Sequence, residues 1–197
     1  MRKPILFVII AVILIAIASL FYTYMTRGGA EELPLLDIVK NVKQRISISS
    51  NAFSNFSYIP KVYTCDGKDV SPPLTISNIP QNTKSLVLIV YDPDAPRGIF
   101  YHWIVYNIPP TISKIDEGIG AKGKGIIDIG LQGVNDFGYI GYGGPCPPPG
   151  SKHRYVFLVI ALDKELNLGV GASANQVIEA CRGHVLGYGI LVGLYQR

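Results

Sequence analysis

The segment Ser85-Leu86-Val87-Leu88-Ile89-Val90-Tyr91 leads directly into Asp92-Pro93-Asp94-Ala95-Pro96. Leu86 to Tyr91 form a continuous apolar run rich in β-branched residues. Such a run predicts a central strand covered on both faces, because a half-exposed strand would alternate polar and apolar residues. The continuation is stiff. Each proline fixes its own φ and restricts the residue before it, so the chain leaves the sheet along a defined path and Asp92 is held in place. The competing reading is a plain surface turn, since Asp and Pro are common turn residues.

Outward from this run, Tyr101–Asn107 and Tyr155–Leu162 read as further strands of the same kind, and Ile46 and Ile48 alternate with serines. Proline and glycine clusters separate the runs at Ser71-Pro72-Pro73, Ile79-Pro80, Pro109-Pro110 and Gly144–Gly150. Residues 118–144 are rich in glycine and read as long ordered loops with little regular structure. One helix is expected after Ser173, where Ser173-x-x-Gln176 can form a capping box. Ala174, Val177, Ile178 and Cys181 then make a buried stripe at helical spacing. Tyr188–Tyr195 reads as a last strand with interspersed glycines. The pattern describes one mainly antiparallel β domain with one or two peripheral helices.

Three parts are expected along the 197 residues. Arg2 and Lys3 precede an apolar run from Ile5 that continues to Met25, and Tyr22 and Tyr24 sit at its far end. About 20 residues of helix cross a bilayer core, and aromatic residues favour its interface. Residues 1–25 therefore read as one transmembrane anchor. The alternative is a signal peptide cleaved at Ala16-Ile17-Ala18, which would remove residues 1–18. Both readings place the rest of the chain outside the cytoplasm, membrane-anchored in the first case and secreted in the second. Residues 26–45 read as a tether, either a short helix opened by Pro34 or an unstructured stalk. Residues 46–197 form the domain.

The net charge of +4 is concentrated at the start of the chain. Residues 1–45 hold six bases and three acids, whereas residues 46–197 hold 12 bases and 11 acids. A nearly neutral domain with no basic stripe argues against nucleic acid as a partner. Cys65, Cys146 and Cys181 show no C-x-x-C spacing, so no zinc cluster is expected. Outside the cytoplasm one disulfide is possible. The sequence does not choose the pair, and three buried free thiols remain an alternative.

The chemistry gathers around Asp92, His102, His153 and the Gly141–Gly150 segment. Asp92 lies ten residues before His102, across a hairpin-like loop, and the two are expected to meet by a hydrogen bond that orients the imidazole. Strand alternation puts His102 on one face with Ile104 and Tyr106, and Trp103 on the other. His153 and Tyr155 lie two apart on a strand and share a face, with Arg154 pointing away. Gly143-Gly144-Pro145 can supply backbone N–H groups to a small anion. The plainer reading is a rigid spacer built by Pro145 and Pro147–Pro149. A hydrolase would need a nucleophile with a base. No G-x-S-x-G elbow is present, and nothing near Cys146 in sequence supplies a base. Asp92, Asp94, His102 and His153 are conceivable metal ligands, but no tight ligand spacing supports that reading. A binding protein with no cofactor and no metal is expected, not an enzyme.

These residues resemble the phosphatidylethanolamine-binding protein family, and its bacterial and archaeal Raf-kinase-inhibitor-like branch in particular. The resemblance covers residues 46–197. It rests on Ile59-Pro60, Tyr63–Gly67, Ser71-Pro72-Pro73, Asp92–Pro96, His102-Trp103 and Asn107-Ile108-Pro109, followed by Asn135–Gly138, Gly141–Gly150, His153-Arg154-Tyr155 and Gly193-Leu194-Tyr195, all in family order. It implies an antiparallel central sheet with a smaller second sheet and peripheral helices. It also implies a pocket for phosphate-like anions, including phospholipid headgroups. Carried over by position, the pocket residues are Asp92, His102, Gly144, Pro145, His153 and Tyr155, with Asp94 structural and Trp103 packing nearby. The family includes serine protease inhibitors, so a protein–protein interface with a serine protease is the alternative function.

Overall fold

The computed structural model describes residues 34–197. The expected anchor or signal helix at 1–25 lies outside the described residues. Among the described residues no helix is long and apolar enough to cross a membrane. The chain divides into two units, residues 1–37 and 38–197. Helix α1 (Pro34–Asp37), in the first unit, starts at the proline, where the missing N–H is not needed. The second unit is built on two β-sheets.

Its centre is a seven-stranded sheet. Strand β4 (Ser85–Asp92) is buried along its whole length, as the unbroken run predicts. It lies between β5 (Phe100–Ile108) and β9 (Lys152–Leu162), antiparallel to both. Beyond β9 comes β10 (Val185–Gln196), then the short parallel edge strand β2 (Ser57–Tyr58). On the other side β5 pairs with β8 (Gly130–Gln132), and β8 with β7 (Ile126–Ile127). A smaller antiparallel sheet joins β1 (Ser47–Ser49), β3 (Leu74–Ser77) and β6 (Lys114–Ile115).

The small sheet covers one face of the large one. Leu74, Ile76 and Ile115 pack there with Leu88, Val90, Trp103, Val105, Phe157 and Leu191. Along β10 the inward positions Gly187, Gly189 and Gly193 leave room for this layer. A Cβ on Gly189 would stand 2.3 Å from the Ile46 carbonyl oxygen, so only glycine permits that approach. The opposite face buries Val87, Ile89, Ile104, Leu158 and Ile160. Helix α2 (Ala174–Cys181) lies on that side against β5. Its capping box forms as expected, with Ser173 Oγ accepting from the Gln176 N–H and the Gln176 side chain accepting from the Ser173 N–H. Ala174, Val177, Ile178 and Cys181 are its buried stripe.

One feature extends the sequence reading and one departs from it. Residues 118–144 hold little regular structure, as expected, and the short β7–β8 hairpin within them extends the sheet beyond β5. Gly130, at φ +149°, brings its backbone so near the Tyr106 carbonyl that a Cβ would sit 2.6 Å from that oxygen. Strand β5 is also irregular. Val90 pairs with Trp103 but Tyr91 pairs with Tyr101, so His102 is an extra residue bulged out of the ladder. A bulge re-aims a side chain. The alternation that would set His102 beside Ile104 therefore fails, and its ring turns to meet Tyr155, 5.2 Å away between centroids.

The cysteine question is settled by proximity. Cys65 and Cys146 form a disulfide with their Cα atoms 5.5 Å apart, and Cys181 is free and buried. Burial pushes the Cys181 thiol up to about 12, so it acts as a small apolar core residue. The bridge spans 81 positions. Closing a loop of that size removes roughly 4 kcal/mol of unfolded-chain entropy in the chain-entropy account. Replacing both cysteines with alanine should lower unfolding free energy by about 2–4 kcal/mol in urea titrations. A loss near zero would show that the surrounding contacts alone hold the two segments together.

Candidate functional site

A cavity of about 220 Å³ opens at the end of the large sheet where β4 finishes and β9 begins. Asp92, His102 and His153 supply its polar lining. Ala95, Pro96 and Phe100 wall one side, and Phe137, Cys146, Pro147 and Pro148 complete the lining. The three polar residues are each more than nine-tenths buried, at 4%, 3% and 6% exposure. Groups so placed must be paired or await a partner.

Asp92 ends β4 and is held from two directions. The following stiff turn folds back so that the Asp94 N–H donates to Asp92 Oδ1 at 2.8 Å. Antiparallel pairing brings β9 alongside, and His153 Nδ1 donates to Asp92 Oδ2 at 2.7 Å. Asp94 faces away from the cavity and takes a forked ion pair from Arg154, with Nη2 to Oδ1 at 2.6 Å and Nε to Oδ2 at 2.9 Å. That guanidinium holds the Asp94 carboxyl below its ordinary value. The pair clips the turn to β9.

The expected Asp92–His102 bond is not what forms, because Asp92 meets the other histidine. The bulge carries the His102 ring to the 142–146 segment, where Nδ1 donates to the Gly143 carbonyl at 2.7 Å. The Gly143 N–H returns a bond to the His102 carbonyl at 3.0 Å. A carbonyl only accepts, so Nδ1 carries the hydrogen and Nε2 is the free nitrogen. Phe100, Phe137 and Tyr155 surround the ring at 5.1–5.3 Å between centroids. Burial depresses the His102 pKa, and the Gly143 carbonyl and the Asp92 charge only partly offset it. The ring is therefore neutral near pH 7 and presents a lone pair at Nε2.

Tyr155 lies under His102, fully buried, with no hydrogen-bond partner for its Oη. Burial drives its pKa far up, with the Asp92 carboxylate adding to the rise. Tyr155 does not line the cavity, and its hydroxyl lies near the Asp92 carboxylate and the Cys146 amide.

Gly144 and Pro145 stand behind the lining and not on it. The sequence reading aims the Gly144 N–H at an anion, but that N–H donates to Asp69 Oδ1 at 2.6 Å. The cause is the close crossing of two segments. A Cβ on Gly144 would lie 2.4 Å from the Tyr63 carbonyl oxygen. Pro145 accepts from the Cys65 N–H at 3.1 Å, and Tyr142 Oη donates to the Tyr63 carbonyl at 2.8 Å. With the disulfide, these bonds strap residues 142–146 to residues 63–69. Asp69 is anchored in turn by Lys122 at 2.6 Å.

Sequence reasoning missed the apolar wall. Phe137 is 41% exposed at the mouth and stacks edge-on against Phe100 and His102. Asn135 positions it, since Asn135 Oδ1 accepts from the Phe137 and Tyr139 N–H groups. The signal available was an aromatic inside an Asn-Asp-x-Gly turn. Nothing local says that this turn reaches His102.

The buried neutral His102 has a consequence for stability. Its folded pKa lies below the ordinary 6.5. Below about pH 6.5 the unfolded chain gains a proton that the folded chain refuses, so this stability is present above that pH and lost as pH falls toward the folded value. Urea midpoints at about pH 7.5 and about pH 5.5 should show the loss, and His102→Phe should reduce the difference. An undiminished difference in the variant would assign the acid sensitivity to other groups.

Comparison with known proteins agrees with this architecture. A sequence profile for phosphatidylethanolamine-binding protein matches residues 49–196. A UPF0098 protein of Pyrococcus horikoshii is 51% identical over 172 residues, covering 86% of this chain and 81% of that one. A UPF0098 protein of Methanothermobacter thermautotrophicus is 47% identical over 152 residues, covering 77% and 99%. Among solved structures, a phosphatidylethanolamine-binding protein homolog of Chlamydia trachomatis superposes with a TM-score of 0.71 at 43% identity, covering 79% of this chain and 99% of that one. An E. coli protein described as a new member of the mammalian family superposes with a TM-score of 0.72 at 32% identity, covering 78% and 99%. With a matching profile over most of its length and relatives of this similarity, the chain belongs to the phosphatidylethanolamine-binding protein family.

Proposed function

We propose that this protein is a non-enzymatic binding protein whose cavity takes a phosphate-like anion, free or as part of a larger molecule such as a phospholipid headgroup. The observation that carries the reading is the convergence, in one largely apolar cavity, of three buried polar side chains: His102, His153 and the Asp92 that orients His153. An apolar cavity with a few convergent polar groups is the usual form of a small-molecule site. Two imidazoles lining a cavity of about 220 Å³ suit a small oxyanion. The only sulfur in the lining is closed in a disulfide, which favours binding over nucleophilic catalysis. Residues 1–25 would tether the domain to a membrane on its outer side, so the ligands in reach are extracytoplasmic.

The exposed Pro148-Pro149-Gly150 tip follows the disulfide directly. A pre-organised exposed loop is what a serine protease inhibitor presents, and this supports inhibition as the second reading.

Calorimetry on the full-length chain in a mild detergent separates the two. Phosphate and glycerophosphoethanolamine should bind the wild type, and a His102→Phe, His153→Phe double variant should lose at least about tenfold in affinity. Unchanged binding in a folded double variant would place the anion elsewhere. No binding to the wild type, together with inhibition of an elastase-like protease, would favour the second reading.

A further inference from the structure

The two imidazoles of the cavity are set differently. His153 Nδ1 donates to a carboxylate, whereas His102 Nδ1 donates to a neutral carbonyl among aromatic rings. An imidazole that has spent its single hydrogen on a carbonyl shows only a lone pair at its second nitrogen. Within the cavity lining His102 therefore offers an acceptor at Nε2. A fully ionised oxyanion has only acceptors. Set against His102 Nε2, it would place two lone pairs together in a buried site, an arrangement as costly as an unmade hydrogen bond.

We infer that His102 is a specificity-determining residue that selects oxyanions carrying a hydrogen of their own, so that phosphomonoesters are accepted over sulfate esters and phosphodiesters. The inference rests on the anion-binding reading above and deepens it. A phosphomonoester loses its last proton near pH 6, so its singly protonated form is available near neutrality. The P–OH of that form donates to His102 Nε2 and leaves the imidazole neutral. Sulfate monoesters and phosphodiesters have no such hydrogen at that pH. Binding them would require His102 to take up a proton, which its surroundings resist.

The groups facing His102 come from every neighbouring element. Asp92 projects from β4, His153 and Tyr155 from β9, Asp136 from the loop after β8, and the Gly143 carbonyl from the strap. Asp92 and His153 face a phosphate ester and a sulfate ester alike. The ratio of the two affinities therefore isolates His102.

The test uses the full-length protein, with phenyl phosphate, phenyl sulfate and glycerophosphoethanolamine as probes, measured by calorimetry at about pH 6. The two phenyl esters present the same apolar ring to Phe100 and Phe137, and the third probe is a diester from a lipid headgroup. Phenyl phosphate should bind roughly tenfold or more tighter than either of the others. His102→Phe should bring the phenyl phosphate to phenyl sulfate ratio close to one. The wild-type ratio decides the matter even if that variant does not fold. Equal affinities for the two phenyl esters would overturn this inference while leaving the anion site standing, and so would tighter binding of the diester. If none of the three binds, the anion reading falls and this inference falls with it.

Discussion

The two-way clasp between His102 and Gly143 is the interaction on which the site depends. One bond runs from the imidazole to the glycine carbonyl, and the other from the glycine N–H to the histidine carbonyl. Each contributes only about 1 kcal/mol net. Their importance is positional, because they fix the ring, its tautomer and the nitrogen that faces the cavity. The clasp holds only while the 142–146 strap is held. Asp69, the Cys65 amide, the Tyr63 carbonyl and the disulfide all tie that strap to the 63–69 segment. Gly144 lets the two backbones cross at a distance that no side chain would permit.

The large sheet carries the other half. Strand β4 is buried throughout, so it serves as a rigid rail that delivers Asp92 to one end. The stiff turn, clipped by the Arg154–Asp94 ion pair, holds the carboxylate against His153. That pair is partly exposed and adds little stability of its own; its effect is to set direction. Two histidines from the strands on either side of β4 thus reach one cavity with different Nδ1 partners, a carbonyl for His102 and a carboxylate for His153. Electrostatic difference between like residues, produced by what each Nδ1 touches, gives the cavity its chemical polarity.

How much of this was legible depended on the range of the interaction involved. The β4 run, the β9 run, the stripe of α2 and its capping box are properties of a few neighbouring residues, and each reads directly from spacing. The likeness to the family was carried by short motifs in order, which made the sheet arrangement and the participation of Asp92, His102 and His153 expected. The partners were a different matter. Asp92 was paired with the nearer histidine in sequence, while the fold pairs it with the one 61 residues away. Sequence distance is a poor guide once antiparallel strands bring remote ends together. Likewise the Gly144 N–H looked free, although a remote carboxylate claims it.

The amino-acid sequence by itself determined the strand-rich domain, the stiff exit after β4, the capped helix, the near-neutral charge and the residue types available for binding. These follow from local periodicity, backbone restriction and composition. Only the tertiary structure decided which cysteines join, that a bulge turns His102 toward Tyr155, that Phe100 and Phe137 wall the cavity, and that the two histidines differ. Each of these depends on contacts between segments tens of residues apart. Ladder register and burial set such contacts, and no local pattern encodes them.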